Sequence, residues 1–211
     1  VIDPAPAGGG GSRYVPTLTP ALLSLSADSD AGVRQAAVYG VGMLAEHVTV
    51  GFDEAAQQNA AAVLLRVCEA PGSLEEENVA ATENAVSALG KLCRRTDSIA
   101  AACLPRWLGM LPLKEDKQEA REVHKTLVEL VSASNAHLLG ENHVRLPDVI
   151  VVFGKVLGTD LVESASETQI TALLKQVHAG LPQVLQALPS HPGFAALTPE
   201  QRSNLERAIS S

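Results

Sequence analysis

The chain has 211 residues and a formal net charge of −8, with 46% hydrophobic but only 3% aromatic residues. Its apolar residues are mainly Ala and Leu, which favour helices, so the composition argues against a β-sandwich or barrel. The acidic balance argues against a general nucleic-acid binder and favours a basic partner. No stretch reaches the roughly 18 consecutive apolar residues of a membrane span, so no membrane insertion is predicted.

The first residues predict a linker, and the three cysteines predict buried thiols. Residues 1–13 include two prolines and four consecutive glycines, which predicts a flexible linker, either natural or engineered. Because the chain begins with Val1, we expect it to be part of a longer protein. The three cysteines lack C-x-x-C spacing and lie in apolar helical surroundings, which predicts buried, reduced thiols rather than a zinc or redox site: Cys68, Cys93 and Cys103.

The clearest predicted helix follows the capping residues Asp28 and Asp30 and runs to about His47. Its apolar residues form one stripe, namely Val33, Ala37, Val41 and Leu44. A second helix is predicted from Asp53 to about Glu69. A third is predicted after Ser73, where the helix dipole would favour the acidic run 75–77, and it carries a matching stripe of Ala81, Ala85, Leu89 and Leu92.

The two striped helices superimpose at an offset of 48 residues, which indicates an internal repeat. Four positions are identical at this offset, pairing Ala37 with Ala85, Val38 with Val86, Gly42 with Gly90, and Leu44 with Leu92. Small residues at such positions allow helices to approach closely, and that packing must offset the cost of about 1 kcal/mol for a glycine inside a helix.

Further helices are predicted over residues 98–111, 116–132, 147–157 and 166–181, with a looser region at 158–193. A last helix begins at Thr198, with Pro199 at its first position and Gln201 completing a capping box. Helix pairs repeating every 40–47 residues or so are typical of HEAT and armadillo arrays. Residues 14–211 are therefore predicted to be all-α, a right-handed α-solenoid of about four helix pairs plus a C-terminal helix.

Several segments resemble the C-terminal part of karyopherin-β nuclear transport receptors of the importin-5 (importin β-3) type. They are residues 33–42 (VRQAAVYGVG), 77–91 (ENVAATENAVSALGK), 104–108 (LPRWL), 111–117 (LPLKEDK) and 197–201 (LTPEQ). They occur in the same order as in that family and extend over nearly all of the chain after the linker.

This resemblance implies a binding protein that shuttles between cytoplasm and nucleus. It would bind cargo carrying basic import signals, and Ran-GTP would drive release in the full-length receptor. Nucleoporins are further candidate partners. The N-terminal repeats that make the principal contacts with Ran-GTP in the family are absent from this chain. A HEAT-repeat scaffold without Ran dependence and a helical accessory domain of an enzyme remain alternatives.

The sequence carries no convincing catalytic or cofactor motif. Gly40-x-Gly42-x-x-Ala45 has the letters of a dinucleotide fingerprint, but it lies within a predicted helix rather than between a strand and a helix. His137, Glu141 and His143 could meet a metal, but their loop setting with no cysteine nearby favours a solvated connector. We therefore predict no enzyme activity, no cofactor and no metal.

The candidate partner-binding residues are Glu75, Glu76, Glu77, Glu83, Asn84, Arg34, Glu115 and Asp116. The glutamates offer an acidic patch to basic segments, unless the helix dipole alone explains them. The Asn84 amide could bind an extended peptide or a neighbouring helix, and Arg34 could bridge to an adjacent repeat. Glu115 and Asp116 begin a run of alternating charge that is either a solvated helix face or a cargo contact. Trp107 is expected in the core.

Overall fold

A computed structural model describes residues 12–210, and within them the fold is all-α with no strand. The α-helices are α1 (Val15–Leu25), α2 (Ala31–His47), α3 (Glu54–Cys68), α4 (Val79–Cys93), α5 (Asp97–Leu108), α6 (Lys117–Ser132), α7 (Ala136–Leu139), α8 (Leu146–Val156), α9 (Ser164–Gly180), α10 (Pro182–Ala187), α11 (Pro192–Ala195) and α12 (Pro199–Ser210). Short 3-10 helices occupy Ser12–Tyr14, Glu141–His143 and Leu188–Ser190. The chain divides into two compact units, one ending at Trp107 and the other beginning at Leu108.

Side-chain caps explain why several helices begin where the sequence predicts. The Asp30 carboxylate accepts a hydrogen bond from the Val33 amide at 3.0 Å, and Asp53 accepts one from Ala56 at 2.9 Å. At α12 the Thr198 hydroxyl accepts from the Gln201 amide, while the Gln201 side chain accepts from the Thr198 amide. Each cap satisfies backbone donors that the first turn of a helix leaves free, so the predicted starts of α2, α3 and α12 are confirmed.

Other boundaries differ from the sequence prediction. The helix expected after Ser73 begins only at Val79, and α5 ends at Leu108 rather than at residue 111. The looser region 158–193 holds the regular helix α9, followed by the short helices α10 and α11. Of the predicted linker over 1–13, residues 1–11 lie outside the described residues, and residues 12 and 13 belong to the first 3-10 helix.

In the first unit, α2 and α4 pack closely because small residues face each other. A Cβ placed on Gly42 would come within 3.3 Å of the Ala88 Cβ, so the two backbones are near contact. The predicted stripes are buried along both helices, with the exception of Val33, which lies in the first turn of α2 and is 36% exposed. Helix α4 is buried on almost every side. It is therefore the central helix of this unit.

Trp107 and the cysteines complete the core of the first unit. Trp107 has no exposed surface, and its indole Nε1 donates a hydrogen bond to the Val86 carbonyl at 2.9 Å, as befits a buried indole. All three thiols are buried and none forms a disulfide. Burial raises the pKa of the Cys68 thiol to about 12, and a hydrogen bond from Cys93 to Cys103, with burial, raises the pKa of Cys93. The core position of Trp107 and the buried thiols agree with the sequence prediction.

An ion pair also joins α2 to α4. The Lys91 Nζ lies 2.9 Å from a carboxylate oxygen of Glu46, and this hydrogen bond lowers the pKa of Glu46 below its ordinary value. A carboxylate whose pKa is lower in the folded chain adds stability above its unfolded-state pKa and loses that stability as pH falls through the folded value. We therefore expect Glu46→Gln to cost under about 1 kcal/mol at neutral pH, since half-exposed pairs are screened by solvent.

Urea unfolding at pH values stepped down through the glutamate range measures this contribution. The difference between the parent chain and Glu46→Gln should shrink as the pH passes below the ordinary glutamate pKa. Glu122→Gln is the matched control, because Glu122 is exposed on α6 and forms no ion pair within the described residues. A Glu46→Gln deficit that persists at the acid end would show that the stabilisation does not come from the ionised carboxylate.

The second unit is built around α8, which is buried along most of its length, and α12 packs against both α8 and α9. Its largest fully buried side chains are Phe153, Leu127, Leu138, Ile150, Ile170, Leu174 and Leu205. Gly154 lets α12 and its preceding loop approach, since a Cβ there would lie 3.1 Å from the Leu197 side chain. At the surface, the Lys117 Nζ lies 2.5 Å from the Asp160 carboxylate, and this contact lowers the pKa of Asp160.

Candidate partner-binding surface

The strongest candidate surface is the acidic turn, which we define as residues 70–78 between α3 and α4. Pro71 and Gly72 begin it, and Gly72 has a φ of +73°, a conformation that glycine adopts without strain. Backbone hydrogen bonds from Ser73 to Ala70 and from Glu75 to Gly72, both 3.0 Å, close successive turns. The segment is therefore a folded turn and not the first turn of a helix.

Two side chains fasten the acidic turn to α4. The Asn78 Nδ2 donates to the Gly72 carbonyl at 3.1 Å, and the Thr82 hydroxyl donates to the Ser73 carbonyl at 2.7 Å. Because Asn78 is the N-cap, the helix begins at Val79 and its first turn contains no acidic residue. The interpretation of the three glutamates as residues of the first helical turn is thus corrected, since dipole effects fall off within that turn.

The acidic turn presents its side chains to solvent. Glu75, Glu76 and Glu77 are all exposed, and none forms an ion pair within residues 12–210. Leu74, beside them, is 78% exposed. The Glu75 carboxylate lies over Gly72, where a Cβ would come within about 3.0 Å of it. The turn therefore combines three adjacent negative charges with one apolar side chain on a folded support.

Glu83 and Asn84 lie in a different environment. Both are on α4 and only 5% exposed, and the Asn84 Nδ2 donates to the Ala80 carbonyl one turn earlier at 2.9 Å. Amides and carboxylates with so little exposed surface present few polar atoms to a partner. The structure does not place these two residues with the acidic turn on one exposed surface.

Arg34 acts as a clamp between α2 and the acidic turn. Its Nη1 donates to the carbonyls of Asp28 and Ser29, each at 2.8 Å, and its Nη2 donates to the Asn78 side chain. Asn78 is the N-cap of α4, and α4 is the helix that repeats α2. Arg34 therefore bridges to the adjacent repeat. The acceptor in that repeat is the side-chain oxygen of Asn78.

A groove of about 450 Å³ lies behind the acidic turn, and we call it the Arg66 groove. Apolar side chains of α1 and α3 line it together with polar groups of α2 and the turn, among them Leu23, Val63, Val67, Arg34, Arg66 and Ser73. Arg66 is in the last turn of α3 and exposed, and its guanidinium makes no hydrogen bond or ion pair with any described residue. Sequence patterns did not reveal this groove, because four helices, α1 to α4, and the acidic turn form it together.

Glu115 and Asp116 lie in the second unit, at the start of α6. The Asp116 carboxylate is the N-cap and accepts hydrogen bonds from the Gln118 and Glu119 amides at 3.0 and 3.1 Å. Glu115 is exposed. Along α6 the apolar residues Ala120, Val123 and Leu127 are buried while most of the charged residues face solvent, the arrangement expected of an amphipathic surface helix.

Across residues 12–210, no group of three His, Cys, Asp or Glu side chains could hold a metal ion. His137 is in α7, and Glu141 and His143 form the 3-10 helix that follows. No helix in the described part of the chain is both long and apolar enough to span a bilayer.

Helices α1 and α2 pack against each other, with an Asp30 cap on α2 and a clamp from Arg34, and this segment has a counterpart among known families. Residues 18–48 match the HEAT repeat. The matched residues include most of α1 and all of α2. Over 167 residues the chain is also 26% identical to "Importin subunit beta-3" of Saccharomyces cerevisiae, an alignment that includes 78% of this chain and 15% of that protein.

These matches make the chain similar to HEAT-repeat proteins of the karyopherin kind, in line with the all-α fold. The chain spans about 15% of the length of that relative. At this level of identity the match does not separate the importin-5 type from other karyopherins, so the type belongs to the proposal that follows.

Proposed function

We propose that this chain is a HEAT-repeat segment of an importin-5-type nuclear import receptor, and that its acidic turn binds basic segments of protein cargo. The observation that supports this most directly is the exposure of three adjacent glutamates that have no ion-pair partner among the described residues. Carboxylates placed this way can accept charge-assisted hydrogen bonds from Lys or Arg without first breaking an internal pair.

The electrostatics favour weak, salt-sensitive binding. Each exposed ion pair contributes about 0.2–1 kcal/mol, so three pairs give roughly 0.6–3 kcal/mol, and the middle of that range is about 1–2 kcal/mol. The net charge of −8 adds long-range attraction that is screened beyond about 8 Å at physiological ionic strength. Leu74 supplies an apolar contact that salt does not screen. Glu115 is proposed as a further acidic contact in the second unit.

In the whole protein we place this segment, residues 14–211, within a right-handed solenoid that shuttles between cytoplasm and nucleus. Ran-GTP binding to other repeats would release cargo through small shifts between neighbouring repeats. Nucleoporins are proposed as further partners. Support for these steps comes from the similarity to an importin subunit, of which this chain spans only a small part.

A peptide titration tests the acidic turn. A Lys/Arg-rich import-signal peptide with a fluorescent label is titrated with the chain, and anisotropy is followed at low and at physiological salt. The triple variant Glu75→Gln, Glu76→Gln, Glu77→Gln should bind about 5- to 30-fold more weakly than the parent chain, which is the energy of three exposed pairs expressed as affinity.

A second triple variant is the matched control for charge. Glu122→Gln, Glu141→Gln and Glu206→Gln remove the same number of charges from exposed positions in the second unit. It should weaken binding far less. Equal losses in both triples would show that only net charge matters, and unchanged affinity in the first triple would exclude the acidic turn. With the full-length protein, the absence of any effect of Ran-GTP on cargo binding would favour the scaffold alternative.

A further inference from the structure

The acidic turn contains a serine in a distinctive sequence context. Ser73 is followed by Leu74 and then by glutamates two, three and four positions later. A protein kinase with a basic substrate cleft binds such a segment through the same charge complementarity that governs other protein contacts. Within residues 12–210 the Ser73 hydroxyl makes no hydrogen bond, so modifying its oxygen breaks none there.

Ser73 differs in secondary structure from the other serine and threonine residues that have a similar local sequence. Thr126, Ser164 and Ser203 also have a glutamate three positions later, but all three lie in regular α-helices. A helical backbone cannot take the extended form in which kinases bind substrates without unfolding a helix. Ser73 lies in a turn between helices and is half-buried at the edge of the Arg66 groove, so only the turn has to open.

The Arg66 groove supplies a site for the product. Ser73 and Arg66 line the same groove, and the guanidinium has no partner among the described residues. A phosphate on Ser73 would carry three acceptor oxygens. The planar guanidinium of Arg66 can donate two parallel hydrogen bonds to such a group. Arg34 lies in the same wall but already donates to two carbonyls and to Asn78, so Arg66 is the available partner.

We propose that Ser73 is a phosphorylation site for an acidic-directed protein kinase and that Arg66 binds the resulting phosphate. In the transfer, the Ser73 Oγ bonds to the γ-phosphorus of MgATP as the bond to the β,γ-bridging oxygen breaks. The hydroxyl proton passes to the catalytic carboxylate of the kinase, and ADP leaves. Phosphorylation of Ser73 requires no partner bound to the acidic turn. Its products can therefore be detected in the absence of cargo.

Phosphate mapping tests the first half of the proposal. The folded chain is incubated with an acidic-directed kinase and MgATP, and phosphorylated residues are identified by mass spectrometry. We expect one phosphate, on Ser73, absent from Ser73→Ala. The rate should fall roughly tenfold in the Glu75/Glu76/Glu77→Gln triple and stay unchanged in the Glu122/Glu141/Glu206→Gln triple. Phosphorylation of a peptide spanning residues 70–80 but not of the folded chain would overturn the proposal.

Phosphorus NMR of the phosphorylated chain tests the second half. A neighbouring guanidinium favours the doubly charged phosphate, so Arg66→Gln should raise the second pKa of phosphoserine by roughly half a pH unit. Arg207→Gln is the control, since it removes an exposed positive charge from α12. Identical titration curves for the parent chain and Arg66→Gln would show that Arg66 does not bind the phosphate. Neither phosphate mapping nor phosphorus NMR involves a basic peptide. Phosphorylation of Ser73 and binding of basic cargo by the acidic turn can therefore be disproved separately.

Discussion

Replacing Trp107 with alanine is expected to lower the free energy of unfolding by about 3–5 kcal/mol, the range found for large aromatic residues removed from protein cores. The indole is fully buried and lies against Gly90, where a Cβ would come within 3.2 Å of the ring. Helix α4 is central in the first unit, and Gly90 has no side chain that could fill the resulting cavity. Urea unfolding followed by circular dichroism measures the loss.

Trp107→Phe separates packing from hydrogen bonding. Phenylalanine retains most of the apolar contact but cannot donate to the Val86 carbonyl, so it should cost less than half as much as alanine. Because Trp107 is the sole tryptophan, its emission also reports its environment in the parent chain. An alanine variant within about 1 kcal/mol of the parent would contradict a tightly packed site at this position.

Arg34→Met is expected to destabilise the chain by about 2–3 kcal/mol while leaving affinity for a basic peptide unchanged under folded conditions. Methionine retains much of the apolar stem but removes the donors that hold the Asp28 and Ser29 carbonyls and the Asn78 side chain. Asn78 in turn holds Gly72, so the anchor of the acidic turn is weakened as well. The cost stays below the sum of three charged hydrogen bonds because water can replace part of them.

Arg66→Met is a closely matched control. It makes the same substitution in the wall of the same groove, at a guanidinium that has no partner among the described residues. Its effect on stability should be within about 0.5 kcal/mol, as is usual for surface substitutions. Equal destabilisation by the two variants would contradict the clamp. A loss of peptide affinity confined to Arg34→Met, with stability intact, would instead make Arg34 a partner contact.

Predictions from local sequence succeeded where local interactions decide the outcome. The Asp30, Asp53 and Thr198 caps need only a side-chain oxygen within a few residues of free amides, so their sequence signature is sufficient. The stripes of α2 and α4 likewise follow from helical periodicity. Both kinds of signal concern residues at most about a dozen positions apart.

Predictions failed where two local preferences competed. Residues 74–77 are compatible with the start of a helix, and glutamate is favourable there. The positive φ of Gly72 and the bonds from Asn78 and Thr82 instead fold this segment into turns. Since Thr82 reaches back nine residues to Ser73, the competing interaction becomes visible only when the helix and the turn are placed together.

The sequence by itself determined the all-α fold of residues 12–210, the capped starts of α2, α3 and α12, and the repeat of two helices with glycines at matching positions. Helical periodicity and capping are local and need no knowledge of neighbours. Only the tertiary structure decided that Glu83 and Asn84 are buried, that Arg34 clamps two segments, and that Ser73 shares a groove with Arg66. Burial and shared grooves depend on which helices pack together, and residues from separate elements meet there without leaving a periodic signal.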